Sequence, residues 1–123
     1  MRAVVDEYGT DVEARLAARR AGTITQIDEL ARSLDDIIDA ANAIATDDEH
    51  DPEGQTIAFE RAQIASLLTQ ARARLAELDD AERRLADGTY GRCEQCDQPI
   101  PPERLAARPT ATTCIACASK RSR

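Results

Sequence analysis

The chain has 123 residues, 42% of them hydrophobic but only 2% aromatic, namely two tyrosines and one phenylalanine. That length allows one domain or a small module with an extension; the scarcity of aromatics argues against one compact core, and the dominance of Ala, Leu, Arg and acids suits long helices and coiled coils. The net charge of -7 is uneven, with 10 basic and 20 acidic side chains in 1–87 against 6 and 3 in 88–123, so the acidic body argues against phosphate-neutralising DNA binding and favours a basic partner surface.

The first ten residues, Met1 to Thr10, contain acids and no apolar stretch of the kind a signal peptide needs. No apolar run anywhere approaches the roughly 18 residues of a membrane span. The chain is therefore expected in the cytoplasm, away from membranes. Thiols stay reduced there, and paired cysteines are better read as metal ligands than as disulfides.

Thr10-Asp11-Val12-Glu13 fits a capping box, which predicts a helix start near Asp11 after a short N-terminal segment, 1–10. From Ile27 the apolar residues Ile27, Leu30, Leu34, Ile37, Ala41 and Ile44 recur at alternating steps of three and four, the seam of a heptad repeat. Before Ile27 the pattern weakens: Val12, Leu16 and Ile24 are apolar, but Arg19, Arg20, Gly22 and Thr23 interrupt them. A helix can run through Gly22 at a cost of ~1 kcal/mol. The seam stops at Ala45, and residues 46–54, rich in acids with Pro52 and Gly54, predict a turn. Asp51 followed by Pro52 also suits a helix cap with proline in the first turn.

A second seam follows at Ile57, Ile64, Leu68, Ala71, Leu75, Leu78 and Leu85, with Arg61 and Glu82 in its two remaining positions. It should end near Asp87, with Gly88 as the C-terminal cap. With the turn centred near residues 50 and 51, Ile44 meets Ile57, Ile37 meets Ile64, Leu30 meets Ala71, and Ile27 meets Arg74 or Leu75. The fold class expected is therefore mainly α: a long antiparallel coiled-coil hairpin over 11–87, its acidic tip at 46–54, followed by a small module over 88–123. An arm of ~30 residues would reach about 45 Å. A monomer is expected, although the same seam could also serve a dimer or a larger bundle.

The module carries Cys93-x2-Cys96, then 17 residues, then Cys114-x2-Cys117. A cysteine pair with two residues between can turn both sulfurs onto one metal, and two such knuckles complete a tetrahedral thiolate site for zinc. A redox pair or two disulfides would use the same residues, but neither a strand-rich context nor secretion supports them. Four thiolates leave no open coordination position, so this one zinc should be structural, organising some 30 residues that core burial alone could not fold. Asp97, Gln98 and Pro99 suit the turn after the first knuckle, Pro101, Pro102 and Pro109 shape the intervening loop, and a short C-terminal helix is expected after Cys114. The basic end, Lys120, Arg121 and Arg123, reads as solvated, or as a contact for acidic groups or phosphates. No nucleophile–base pair and no glycine-rich phosphate loop is present, so an enzyme is not expected. His50, the only histidine, reads as an exposed turn residue.

The run Gly88-Thr-Tyr-Gly-Arg-Cys-Glu-Gln-Cys, the stretch from Pro99 through Arg104-Leu105 and Ala107-Arg108-Pro109, and Cys114-Ile-Ala-Cys117 together resemble the C4 zinc finger of the DksA/TraR family. The hairpin before them resembles that family's architecture, over roughly 25–120. The resemblance implies a bacterial transcription regulator that binds RNA polymerase directly without binding DNA itself. In such proteins the coiled coil enters the polymerase secondary channel, its acidic tip approaches the catalytic magnesium, and the zinc region braces the rim. The family's tip motif is Asp-x-x-Asp-x-Ala. Here Asp51-Pro-Glu-Gly-Gln-Thr lacks the second Asp and the Ala, and Asp48-Glu-His-Asp51-Pro-Glu53 keeps both acids but ends in Glu53. The tip contacts implied are Asp48, Asp51 and Glu53. The resemblance also raises guanosine tetraphosphate as a ligand: Arg108 matches one of the family's contacts, but Ala118 stands where a lysine follows the last cysteine, and Glu77 lies on the corresponding helical face. The other class of function open to these residues is an adaptor that binds another protein and never touches polymerase.

Overall fold

The computed structural model describes residues 2–45 and 52–121, with side chains over 11–43 and 54–120. Four helices follow in order: α1 (Arg2–Ala45), α2 (Pro52–Asp87), α3 (Pro102–Ala107) and α4 (Ile115–Arg121). The fold is mainly α, and α1 and α2 form a hairpin. Beta pairing among the described residues is confined to one antiparallel bridge, Arg92 with Pro99.

Helix α1 starts at Arg2, not near Asp11, so residues 2–10 are its first turns instead of a separate segment. The Thr10–Glu13 signal is overridden because extending a helix already nucleated costs little per residue, and no proline interrupts the stretch. Helix α2 begins at Pro52, so Pro52, Glu53 and Gly54 of the expected turn are helical. Proline at the first helical position loses no hydrogen bond, because the N–H it lacks would have no partner inside the helix. Asp48, His50 and Asp51 lie outside the described residues; Glu53 sits in the first turn of α2, where its side chain is not described.

The chain divides into two compact units. One is 21–75; the other joins 1–20 to 76–123. In the first, one face of each helix is covered. Ile27, Leu30, Leu34, Ile37 and Ala41 are half-buried along α1, and the face continues back to Thr23, which is buried. On α2 the covered positions are Ile57, Ile64, Leu68, Ala71 and Leu75, with Leu68 5% and Ala71 0% exposed. Arg74 donates to Gln26 Oε1 at 2.8 Å, which matches the expected alignment of residues near 27 and 74. Each buried leucine of such a seam contributes about 1.5–3 kcal/mol.

In the second unit Leu16, Leu78 and Ala81 form the core, with Val12, Leu85 and Tyr90 packed against it. Leu16 is fully buried, so the apolar face of α1 extends well before Ile27. Ala81 is fully buried as well, beside the half-buried Glu82 that the heptad count put on the seam. Outside this core Arg20 pairs with Asp79 at 2.7 Å. This unit cuts across the sequence partition, because the ends of both long helices share it with the cysteine module.

Helix α2 ends at Asp87, and Gly88 follows at φ +81°, the left-handed conformation glycine adopts without penalty. The N–H groups of Thr89 and Tyr90 then both bond to the Arg84 carbonyl, at 2.9 and 3.1 Å. The loop between the cysteine pairs contains α3, which the prolines concealed. Pro101 precedes it and Pro102 opens it, Glu-Arg-Leu-Ala-Ala continues it, and Arg108 closes it by donating its N–H to the Arg104 carbonyl at 2.7 Å.

Candidate metal centre

The first knuckle is built by backbone geometry. Cys93 N–H donates to the Gln98 carbonyl at 2.8 Å, and Asp97 N–H returns to the Cys93 carbonyl at 2.9 Å. Asp97 takes φ +64°, a left-handed conformation that aspartate tolerates better than most residues. Gly91, at φ +84°, lies so close to α3 that a Cβ there would meet Leu105 Cδ1 at 3.5 Å. Ile100 N–H bonds to the Gly91 carbonyl at 2.7 Å, and Ile100 is 3% exposed. The second pair straddles the start of α4: Cys114 precedes it, Cys117 lies in its first turn, and Ala118 N–H donates to the Cys114 carbonyl at 2.9 Å. The two halves are tied directly by Glu94 N–H on the Thr112 carbonyl at 2.9 Å.

These turns bring Cys93, Cys96, Cys114 and Cys117 together with all four sulfurs within 4.8 Å of one another. The Cys96 and Cys114 sulfurs are 3.8 Å apart. Sulfurs at the corners of a tetrahedron, each ~2.3 Å from a central zinc, would stand ~3.8 Å apart. The donor set therefore fits one Zn²⁺ and closes its coordination shell, which makes the ion structural. Cys93 is fully buried, while Cys96 is exposed.

The thiol chemistry points the same way. Burial would push the Cys93 thiol up, but the backbone N–H groups of Cys114, Cys96 and Gln95 outweigh it and bring it down to about 6. Cys117 is pushed up to about 12 by its hydrogen bond with Cys114, by burial and by Cys93. Four clustered sulfurs cannot all ionise by themselves, and a divalent cation removes that conflict by taking the place of protons.

Around the sulfurs, side chains from three helices and from Tyr90 reach the segment 106–113, the end of α3 and the loop after it. Tyr90 Oη donates to the Pro109 carbonyl at 2.7 Å, Arg84 Nη2 to the Thr110 carbonyl at 3.4 Å, Arg15 Nη2 to the Ala106 carbonyl at 3.0 Å and Arg104 Nε to the Thr113 carbonyl at 2.7 Å. Burial raises the Tyr90 hydroxyl pKa against the pull of Arg15 and Arg84, so it stays a donor. In the sequence Tyr90 and Arg104 stand out only as parts of the family motif, and Arg15 and Arg84 as neither site nor contact, because nothing local marks a side chain whose partner is a carbonyl 9 to 91 residues away.

Arg108 is exposed and lines a cleft of about 310 Å³ with Glu77, Arg104, Thr110, Thr113 and Ala118. The residues that the resemblance singled out around the finger, Arg108, Ala118 and Glu77, thus share one cleft. Thr110 donates to Glu77 Oε2 at 3.5 Å, so the cleft carries an anion of its own.

Residues 88–123 match the family described as prokaryotic dksA/traR C4-type zinc finger. The solved structure of transcription factor DksA2 from Pseudomonas aeruginosa is similar over 99% of this chain and 89% of that one, with a TM-score of 0.79 and 27% identity. Residues 88–123 thus carry a dksA/traR-type C4 zinc finger, and the chain shares the fold of DksA2. Among curated relatives, the RNA polymerase-binding transcription factor DksA of Caulobacter vibrioides is 39% identical over 66 residues, 52% of this chain and 46% of that protein. YteA of Bacillus subtilis, whose function is uncharacterised, is 35% identical over 75 residues, 61% of this chain and 31% of that protein. The chain thus spans less than half the length of these curated relatives. No helix among its described residues is long and apolar enough to cross a membrane.

Proposed function

We propose that this protein is a non-enzymatic transcription regulator that binds bacterial RNA polymerase directly, in the cytoplasm, and inserts its hairpin tip into the secondary channel to modulate initiation. The observation that carries this is the likeness to a transcription factor structure over 99% of the chain, helices and finger together, rather than over the finger alone. The charge distribution supports it: Asp28, Glu29, Asp35, Asp36 and Asp39 are all exposed on α1, against one basic residue, Arg32, in the same stretch. That face suits a basic channel through electrostatic complementarity and disfavours direct contact with DNA phosphates. Zinc is the rigid base of this design and takes no part in chemistry.

In this proposal Asp48, Asp51 and Glu53 form the tip that approaches the polymerase magnesium. Replacing all three with Ala should abolish the effect on transcription in a purified initiation assay while leaving zinc content and helicity unchanged. An undiminished effect would sink the channel mechanism. The departure from Asp-x-x-Asp-x-Ala favours a second possibility, an adaptor that binds another protein and leaves polymerase alone; it predicts no effect on initiation from the unaltered protein either. Guanosine tetraphosphate is at most a weak ligand in this scheme, because the acidic Glu77 lines the same cleft as Arg108 and Ala118 offers no charge. Repeating the assay with and without the nucleotide tests that directly.

A further inference from the structure

The segment 106–113, the end of α3 and the loop after it, leads into the second cysteine pair, yet few of its carbonyls are paired with N–H groups of the same segment. The Arg108 carbonyl accepts Ala111 N–H at 3.0 Å. The carbonyls of Ala106, Pro109, Thr110 and Thr113 are instead capped by the side chains of Arg15, Tyr90, Arg84 and Arg104. Pro109 and Thr113 are buried and Thr110 is half-buried, so water does less to replace a donor lost from their carbonyls than from that of the exposed Ala106.

Arg84 joins the two sides of this contact. Its carbonyl receives the N–H groups of Thr89 and Tyr90, which fixes the chain as it leaves α2. Its guanidinium is anchored by Asp80 at 3.0 Å, reaches the Thr110 carbonyl, and lies 6.0 Å from the centre of the Tyr90 ring, a distance at which a cation is attracted to an aromatic face. Tyr90, held by that same carbonyl and packed on the Leu16–Leu78–Ala81 core, delivers its hydroxyl to Pro109.

We propose that Arg84 and Tyr90 are positioning residues for the zinc site, clamping the 109–113 segment to the end of α2 so that zinc affinity and the stability of the helical base are thermodynamically coupled. The clamp fixes the segment that delivers Cys114 and Cys117, so less ordering remains to be done when the metal binds. By linkage the coupling is reciprocal: if the clamp favours zinc by a given factor, zinc favours the clamped helix end by the same factor. This holds whatever the protein binds, and it rests only on the four-cysteine site.

The test measures zinc affinity by competition with a chromogenic chelator, and amide hydrogen exchange over 76–87 with and without zinc. Tyr90→Phe removes one hydroxyl and keeps the ring. Arg84→Lys keeps the charge beside Asp80 but loses the planar fork. Each should weaken zinc binding about 5- to 10-fold, the scale of one buried hydrogen bond, and shrink the protection that zinc confers on 76–87. Arg83→Met is the control, since Arg83 pairs with the same Asp80 carboxylate at 2.6 Å; it should leave zinc affinity within twofold. Unchanged affinity in both Tyr90→Phe and Arg84→Lys, an equal loss in Arg83→Met, or zinc-dependent protection of 76–87 that matches the unaltered protein would each overturn the proposal. Should Arg84→Lys fold poorly, Tyr90→Phe decides alone.

Discussion

The helical unit 21–75 and the finger that begins at Gly88 solve the same problem by different means. The helices cover one apolar face on each of two long elements, repeated turn after turn, so no single contact dominates. The finger is too short for such a face. Its buried residues are few and mostly small, including Cys93, Ile100, Ala111 and Thr113, and its order depends on one ion and on donors brought from elsewhere in the same unit. A distributed seam should therefore degrade gradually under mutation, whereas the finger should fail as a whole.

The largest expected effect breaks that contrast at the metal. Stripping zinc with a strong chelator, or replacing Cys117 with Ser, should unfold the finger, because structural zinc contributes about 10–16 kcal/mol of apparent binding free energy to modules of this kind. Far-UV circular dichroism should nonetheless lose only the small contribution of α3 and α4, with α1 and α2 largely retained. Loss of most helicity would show instead that the hairpin cannot stand without the finger.

A smaller effect is expected from the seam. Leu68 is 5% exposed, and Leu68→Ala should cost about 2–5 kcal/mol in chemical denaturation while one zinc per chain is retained. A zinc content below one would tie the two regions more tightly than the seam and the metal separately imply.

How these regions read from sequence follows the same division. The heptads from Ile27 and Ile57 were legible because periodicity repeats a weak signal many times, and the cysteines because two-residue spacing has few other uses. The buried Leu16 and Thr23 were harder to see, since Arg19, Arg20 and Gly22 break the pattern around them. Ala81 was missed because a strict heptad points to Glu82, and a small apolar residue one position away gives no contrast. Helix α3 was hidden by prolines that read as loop, although Pro102 sits at the one helical position where proline does no harm. The carbonyl caps from Arg15, Arg84 and Tyr90 had no local signature at all, being separated from their acceptors by up to 91 residues.

The smallest expected effect sharpens the picture of α1. Gly22 lies inside the helix with open space where a Cβ would go. Gly22→Ala should stabilise the protein by about 0.4–1 kcal/mol, through lower entropy of the unfolded chain, visible as a modest rise in thermal midpoint. A fall would mean that α1 needs flexibility at this point.

If the hairpin tip works inside RNA polymerase, as proposed, its neighbours there can be captured by crosslinking. A photo-crosslinker placed at position 51 of the zinc-loaded protein, mixed with purified core RNA polymerase at micromolar concentration, should give crosslinks that map beside the polymerase active site. No binding to core enzyme, or crosslinks confined to the outer surface of the polymerase, would rule out insertion of the tip into the channel.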